Sequence, residues 1–298
     1  MLGSLRRHPG PSRFACIVNG AFVLAGRLVW RLRFDLLAVL VVAAVMTLAT
    51  DRLSLQSLSP LVPLMGIVVS IFIGFRNRNA YNRWWEARTL WSSIVANSRS
   101  LNYALMAYTD GTPEMAAVID RMRRREVRHA WRLADELHDN TTPSARLSEL
   151  TPEDPAATSS AQLLTRQAAD IAEMSRTGMI DRQARRVLVT INSSQVAAAI
   201  GLERVRRQLI PRFYELFIRG LAWFFAVLVC TRFGAGGHDA VAGIVVGIVI
   251  MALLVVAERL GYLLDQPMSD DAFGLPLEQF CSELASDLLG PKPMLEIS

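Results

Sequence analysis

Four stretches of the chain are apolar and rich in small residues: Phe34 to Thr50, Leu61 to Phe75, Phe213 to Cys230 and Ala240 to Ala257. A helix crossing a bilayer needs roughly 20 apolar residues, fewer where neighbours relax the requirement, so each stretch can span or nearly span. The third carries Glu215 and Arg219 near its start. Short segments join them in pairs, one around Asp51-Arg52 and one from Thr231 to Asp239 with a turn-forming GAGG. Arg27, Arg31 and Arg33 precede the first stretch, Arg76, Arg78 and Arg83 follow the second, and Arg206, Arg207 and Arg212 precede the third. The positive-inside rule therefore places both termini and the middle of the chain in the cytoplasm, with two short outer loops. Ala15 to Leu24, behind Arg6, Arg7 and Arg13, imitates a signal peptide, but a span so close behind it reads better as an uncleaved, interfacial helix.

Between the second and third spans the pattern changes to amphipathic helix. Glu114 to Asp139 places Met115, Val118, Ile119, Met122, Val127 and Trp131 at near-helical spacing. Asn140 to Ser160, rich in Thr, Ser, Pro and Glu, reads as a loop. Ser160 is positioned to cap a helix over Ala161 to Ser175, and a further helix runs from Asp181 to Gln208 before Pro211. With no Gly after Gly74 and no Pro, the second span can continue unbroken to about Tyr108, a helix about 70 Å long that would protrude into the cytoplasm. After the fourth span, Leu277, Phe280, Cys281, Leu284 and Leu288 form the stripe of a last helix. The fold class is therefore all-α: an integral membrane protein with four transmembrane helices and a helical cytoplasmic region.

Composition supports this reading. Of 298 residues 52% are apolar, and with the charges gathered in blocks that is a membrane-protein profile. The net charge of +5 lies beside the apolar spans, where orientation in a bilayer explains it better than nucleic-acid binding. Lys292 is the only lysine, which genome composition explains. Cys16, Cys230 and Cys281 are scattered and odd in number, and suggest neither a disulfide framework nor a metal site. No phosphate loop, nucleophile elbow or zinc spacing is present.

Within the second span, Ile67, Ile71 and Phe75 sit four apart on one helical face, and Gly66, Ser70 and Gly74 form a parallel stripe beside them. Small residues let helix backbones approach closely in a membrane. In a ring of such helices the three large side chains would line the axis as a hydrophobic constriction, able to gate by dewetting. On spacing alone the plainer alternative stands beside this one: such small-residue stripes often only pack, and apolar stripes usually face lipid.

The run Gly74-Phe75-Arg76-Asn77, Ala80-Tyr81, Arg83-Trp84-Trp85-Glu86-Ala87-Arg88, Leu90-Trp91 and Arg99-Ser100-Leu101 resembles the signature of the bestrophin family. Ile210-Pro211-Arg212-Phe213-Tyr214 is similar to a second family marker, as are Asp265-Gln266-Pro267 and Leu275-Pro276-Leu277. The resemblance covers essentially the whole chain, and is closer to the bacterial branch than to the animal one. It implies a homopentameric ion channel in the cell (inner) membrane, assembled as a ring around one central pore. Its neck is expected at Ile67, Ile71 and Phe75, and its lower cytoplasmic aperture at Gln183. Gln183 departs from the apolar residue of a bacterial relative, and Leu209 stands where many members have proline. Animal members bind calcium through an acidic cluster after the fourth span. Only Asp270 and Asp271 stand there, and two carboxylates are too few for a calcium site, so no calcium gating is expected. The expected partners are four further copies of the chain, the lipid bilayer and permeant ions, with no cofactor, metal or nucleic acid.

Apolar rings carry no sign of their own; Arg76 and Arg78, if they face the pore, favour chloride-like anions, and pairing with Glu86 or a neighbouring subunit is the alternative. The family also contains bacterial members that prefer cations. Arg83, Trp84, Trp85, Glu86 and Pro211 read as structural, with Arg83 and Glu86 as an i,i+3 pair. Trp84, Arg88 and Trp91 share a face and read as core packing. His129 and His138, near Asp135, Glu136 and Asp139, are half a turn out of phase and read as a solvated face. Two rival classes are an enzyme working at the membrane through Glu215 or the His129 region, and a non-conducting scaffold whose long helices hold a soluble partner.

Overall fold

The computed structural model describes residues 26, 30, 32–46, 60–108, 111–138, 145–208, 211–233, 240–269 and 273–290. The expectations for Ala15 to Leu24, Asp51-Arg52, the GAGG turn, Leu209 and Asp270-Asp271 fall outside these residues. Among the described residues every regular element is a helix. In chain order these are α1 (32–46), α2 (Leu61–Ala107), α3 (Pro113–Leu137), α4 (Ala145–Leu150), α5 (Ser160–Arg176), α6 (Arg182–Arg207), α7 (Arg212–Phe233), α8 (Ala240–Leu264) and α9 (Leu277–Leu289).

The chain divides into two compact units. One comprises Met1–Arg78 and Pro211–Tyr262, the other Asn79–Ile210 and Leu263–Ser298. The boundary at Arg78/Asn79 falls inside α2, which is helical throughout its 47 residues, because nothing after Gly74 interrupts the i to i−4 ladder.

In the first unit α2 and α7 pack through Val69, Ile73, Ile218, Ala222, Phe225 and Val229. A second cluster joins α1, α7 and α8 through Val39, Ala43, Ala226, Met251 and Val255. Phe72 and Phe217 meet edge-on with ring centroids 5.7 Å apart. Among the described residues, α2 and the part of α8 from Ala242 to Leu264 are long and apolar enough to cross a membrane.

The second unit has two cores. Ala87, Trp91, Ile94, Val127, Leu133, Leu202 and Leu284 belong to one, and Leu101, Leu105, Met122, Ile171 and Leu188 to the other. Capping sets its helix starts. Thr112 accepts from the Met115 amide with Pro113 in the first turn, and Asp181 accepts from the Ala184 amide at 2.6 Å. The cap of α5 is Ser159, not Ser160: Ser159 and Gln162 form a reciprocal capping box, and Ser160 already belongs to the helix. The segment read as a loop from Asn140 to Ser160 contains α4, whose buried Leu147 gives its single turn and a half a purpose.

Candidate functional site

The first residues to place are those of α2. Ile67, Ile71 and Phe75 are 60%, 49% and 61% exposed within one chain. Val69, Ile73 and Arg76, on the opposite side of the same helix, are buried. The helix thus turns one apolar face into its own unit and leaves a second apolar face uncovered. The small-residue stripe beside it divides. Gly66 is close-packed, since a Cβ there would lie 3.2 Å from the Phe225 ring, whereas a Cβ on Gly74 would meet nothing within 4 Å. Ser70 is exposed and donates to the Ile67 carbonyl at 2.8 Å. Within one chain only Gly66 acts as a packing residue.

Below the stripe the two arginines part company. Arg76 is buried, not on the surface: it donates to Glu258 Oε1 at 2.6 Å and to the Glu258 carbonyl at 3.3 Å, and lies 3.4 Å from Glu215. A guanidinium in that position is fully engaged and does not share the face of Ile67. Beside it Asn77 donates to the Ala257 carbonyl at 3.0 Å, across a gap that only glycine at 261 leaves open, since a Cβ there would strike Asn77 Oδ1. Asp35 receives a two-pronged bond from Arg259, at 3.0 and 2.8 Å. Arg78, by contrast, is exposed and has no ion pair among the described residues. It follows Ile71 by seven residues and Ile67 by eleven, separations that return an α-helix to nearly the same face.

In the second unit the family-motif residues are structural, but not in the expected pairing. Arg83 does not bond Glu86; it donates to the Val205 carbonyl at 2.6 Å and to Asp265 at 3.2 Å. Glu86 instead accepts from Arg204. Trp84 Nε1 donates to the Phe273 carbonyl at 3.1 Å, and Arg88 lies over the Trp84 ring at 5.6 Å. Trp91 is buried in the core, while Trp85 is 53% exposed and stacks on Tyr81. Leu90 packs so tightly on α6 that a Cβ at Gly201 would come within 2.8 Å of it. Gln183 is exposed in the first turn of α6, and Pro211 is exposed ahead of α7.

A buried polar layer that the sequence did not announce ties α2, α3, α5 and α6 together. Glu126 accepts from Ser98 Oγ and Gln167 Nε2, both at 2.7 Å, and from Gln195 Nε2. Burial pushes its carboxyl up, against the lowering effect of those three donors. His129 is not on a solvated face: it is fully buried, with Nδ1 3.1 Å from the Ser160 carbonyl and Nε2 without a partner. Burial lowers its pKa to about 4, so it is neutral near pH 7. Arg125 bonds Asp154 at 2.8 and 3.0 Å and Asp170 at 2.5 Å. Arg128 donates to the carbonyls of Thr151, Asp154, Pro155 and Ala156, as well as to the Thr151 hydroxyl at 2.6 Å. Among the described residues no cluster of His, Cys, Asp and Glu has the arrangement of a metal site.

Comparison with known proteins agrees with this geometry. Residues 11–290 match the family described as bacterial/fungal bestrophin protein. A protein of Mesorhizobium japonicum, named a voltage-dependent anion channel-forming protein, is 27% identical over 168 residues; the match spans about half of each chain, 56% of this one and 54% of that one. A protein of the same name from Synechocystis sp. is 25% identical over 234 residues, 74% of each. The crystal structure of a bacterial bestrophin homologue from Klebsiella pneumoniae superimposes with a TM-score of 0.78 at 23% identity, covering 87% of this chain and 97% of that one. With the fold shared and the match running almost from end to end, the chain belongs to the bacterial and fungal bestrophin family.

Proposed function

We propose that this protein is an ion channel of the cell (inner) membrane that passes chloride-like anions through a hydrophobic neck. The carrying observation is the exposed stripe of Ile67, Ile71 and Phe75, followed on nearly the same face by exposed Arg78. Three large apolar side chains left uncovered on one helix must face lipid, a neighbouring copy or a shared axis. Five copies in a ring, the assembly the family resemblance implies, would bring the stripes together as a constriction that excludes ions by dewetting. Ser70 and Gly74 would then face a neighbouring α2, Ser70 being exposed and Gly74 leaving open space for that approach, while Gly66 packs on Phe225 of its own chain. Gln183 would form the polar cytoplasmic aperture.

In this reading residues 1–298 are one channel domain, with spans within α1, the first half of α2, α7 and α8. Both termini and the second unit lie in the cytoplasm. The many exposed apolar residues of α1 and α8, such as Leu37, Val41, Val249 and Leu253, suit lipid or a neighbouring copy. The anion preference rests on Arg78 and on the names of the relatives. A catalytic reading is weakened because its candidates are engaged elsewhere: Glu215 is bonded to Arg76, and His129 is sealed in the interior.

The test is the reversal potential in planar bilayers under a salt gradient, for the wild type and for an Ile67/Ile71/Phe75 triple alanine. The expected current follows the chloride equilibrium potential and is larger in the triple variant, because a wider neck wets more easily. A current following the cation potential would overturn the ion assignment alone. Silence from both forms would favour the scaffold.

A further inference from the structure

Arg219 lies two turns into α7, half-buried, with no hydrogen bond or ion pair to any described residue. A guanidinium carries five N–H donors, and leaving them unfilled within a membrane span is costly, so such a residue marks a site whose partner should be named. Glu215, one turn earlier, is the partner helix spacing would supply. It is already engaged by Arg76 at 3.4 Å. Glu258 is held by Arg76, and Asp35 by both prongs of Arg259. The three acids of this layer are therefore met by two arginines, and Arg219 stands apart from them.

It stands beside a cavity of about 320 Å³ lined by Glu215, Leu216, Arg219, Arg259 and Tyr262. The lining holds two guanidiniums against one carboxylate, and that carboxylate is turned to Arg76. Along α7 the same end of the helix carries exposed Phe213, Leu216 and Phe217, with Phe224 further on. Leu216 belongs to both the cavity wall and this ridge. An anion bound here would thus meet arginine at one end and a run of uncovered apolar surface at the other.

We propose that this cavity binds the phosphoryl headgroup of an anionic lipid, with Arg219 as its principal ligand and the α7 ridge under its acyl chain. Arginine is suited to the role because its planar fork takes phosphate oxygens in pairs. Basic cavities between spans on the cytoplasmic side are where such headgroups bind. Arg212 at the head of α7 and Tyr262 near the tail of α8 put the cavity at the cytoplasmic ends of both helices. The proposal rests on the reading above that α7 and α8 cross a bilayer. A free phosphate shares the headgroup chemistry, but it would make no use of the ridge.

The experiment reconstitutes wild type, Arg219→Gln and Arg219→Lys into phosphatidylcholine vesicles with and without phosphatidylglycerol. Flotation is scored first, then retained lipid per protomer by native mass spectrometry. Wild type should retain phosphatidylglycerol in preference to phosphatidylcholine. Arg219→Gln should hold it about tenfold more weakly, the loss of one charge-assisted interaction, with Arg219→Lys in between. Equal retention by wild type and Arg219→Gln would overturn the site. So would equal protection against heating by inorganic phosphate in phosphatidylcholine alone, which would indicate a free anion. A smaller assembly in Arg219→Gln with no lipid preference in either form would assign Arg219 to a second copy of the chain, and also overturn it. Failure of wild type to float would overturn the membrane reading itself. If Arg219→Gln does not fold, Leu216→Glu, which sets a carboxylate at the mouth of the cavity from an exposed position, must lower phosphatidylglycerol retention; unchanged retention rejects the proposal.

Discussion

The two units of the chain solve the same problem, holding helices together, by opposite means. The first buries apolar clusters and one layer of ion pairs around Arg76, and leaves a large apolar surface uncovered. The second spends much of its interior on polar groups: Glu126 with three donors, Arg125 between two aspartates, Arg128 against four carbonyls. The contrast is the one expected of a first unit in a bilayer and a second in water, as proposed above. In a bilayer an uncovered Leu costs nothing, and association depends on close packing and on satisfied polar groups. In water the surface must be polar, and a buried polar network that is fully bonded can specify which helices meet. In α2 the contrast is only partial: Ile67, Ile71 and Phe75 are exposed early, and later Asn79, Asn82 and Arg99 are exposed alongside Tyr81, Trp85, Tyr103 and Met106.

Breaking the ion layer of the first unit should do the most damage. Arg76→Ala leaves Glu258 buried without its 2.6 Å partner, and the expected loss is about 3–5 kcal/mol, read as a drop in thermal midpoint in detergent. Next comes the network of the second unit. Glu126→Ala strands three donors and should cost about 3 kcal/mol. Glu126→Gln should be far milder, because Gln167 Oε1 and Gln195 Oε1 lack partners and can accept from the new amide after a flip. Equal losses for the two variants would show that charge, not bonding, holds the layer.

Acid sharpens the comparison further. His129 titrates near 6.5 in the unfolded chain and near 4 in the fold, so unfolding takes up a proton between those values. The stability this residue contributes is present above pH 6.5 and is lost as pH falls toward 4, by up to about 3 kcal/mol. Replacing His129 with Phe should flatten that part of the pH profile. The smallest stability effect is expected at the stripe: alanine at Ile67, Ile71 or Phe75 should shift one chain's stability by less than about 0.5 kcal/mol, the range of exposed positions. A large loss there would mean the stripe is a packing surface first.

Much of this architecture could be read from the chain. The unbroken run to about Tyr108, the helix from Asp181 to Gln208 and the final stripe from Leu277 appear at nearly those bounds, because period and caps are local signals. The first unit's exposed stripe was also visible, since a four-residue spacing fixes a face. What was hidden depends on partners far along the sequence. Arg76 meets Glu258 from 182 positions away, and Arg83 reaches Asp265 over the same distance. Nothing near Arg83 except Glu86 suggested a partner, so the local pair was the natural reading. The stretch around His129 misled for a related reason: Arg125, Glu126 and Arg128 look like a solvated face until their partners on α5, α6 and the segment from Thr151 to Ala156 are known.

Arg128 has a consequence for how this region can change over evolutionary time. Four of its five acceptors are main-chain carbonyls, and only Thr151 offers a side chain. A carbonyl is the same whichever residue supplies it. The segment therefore keeps its course while its outward residues, Pro152, Glu153, Ala156 and Ala157, stay open to substitution. Its freedom to vary is set by one arginine on a different helix, so substitutions in the segment are tolerable only while Arg128 is kept.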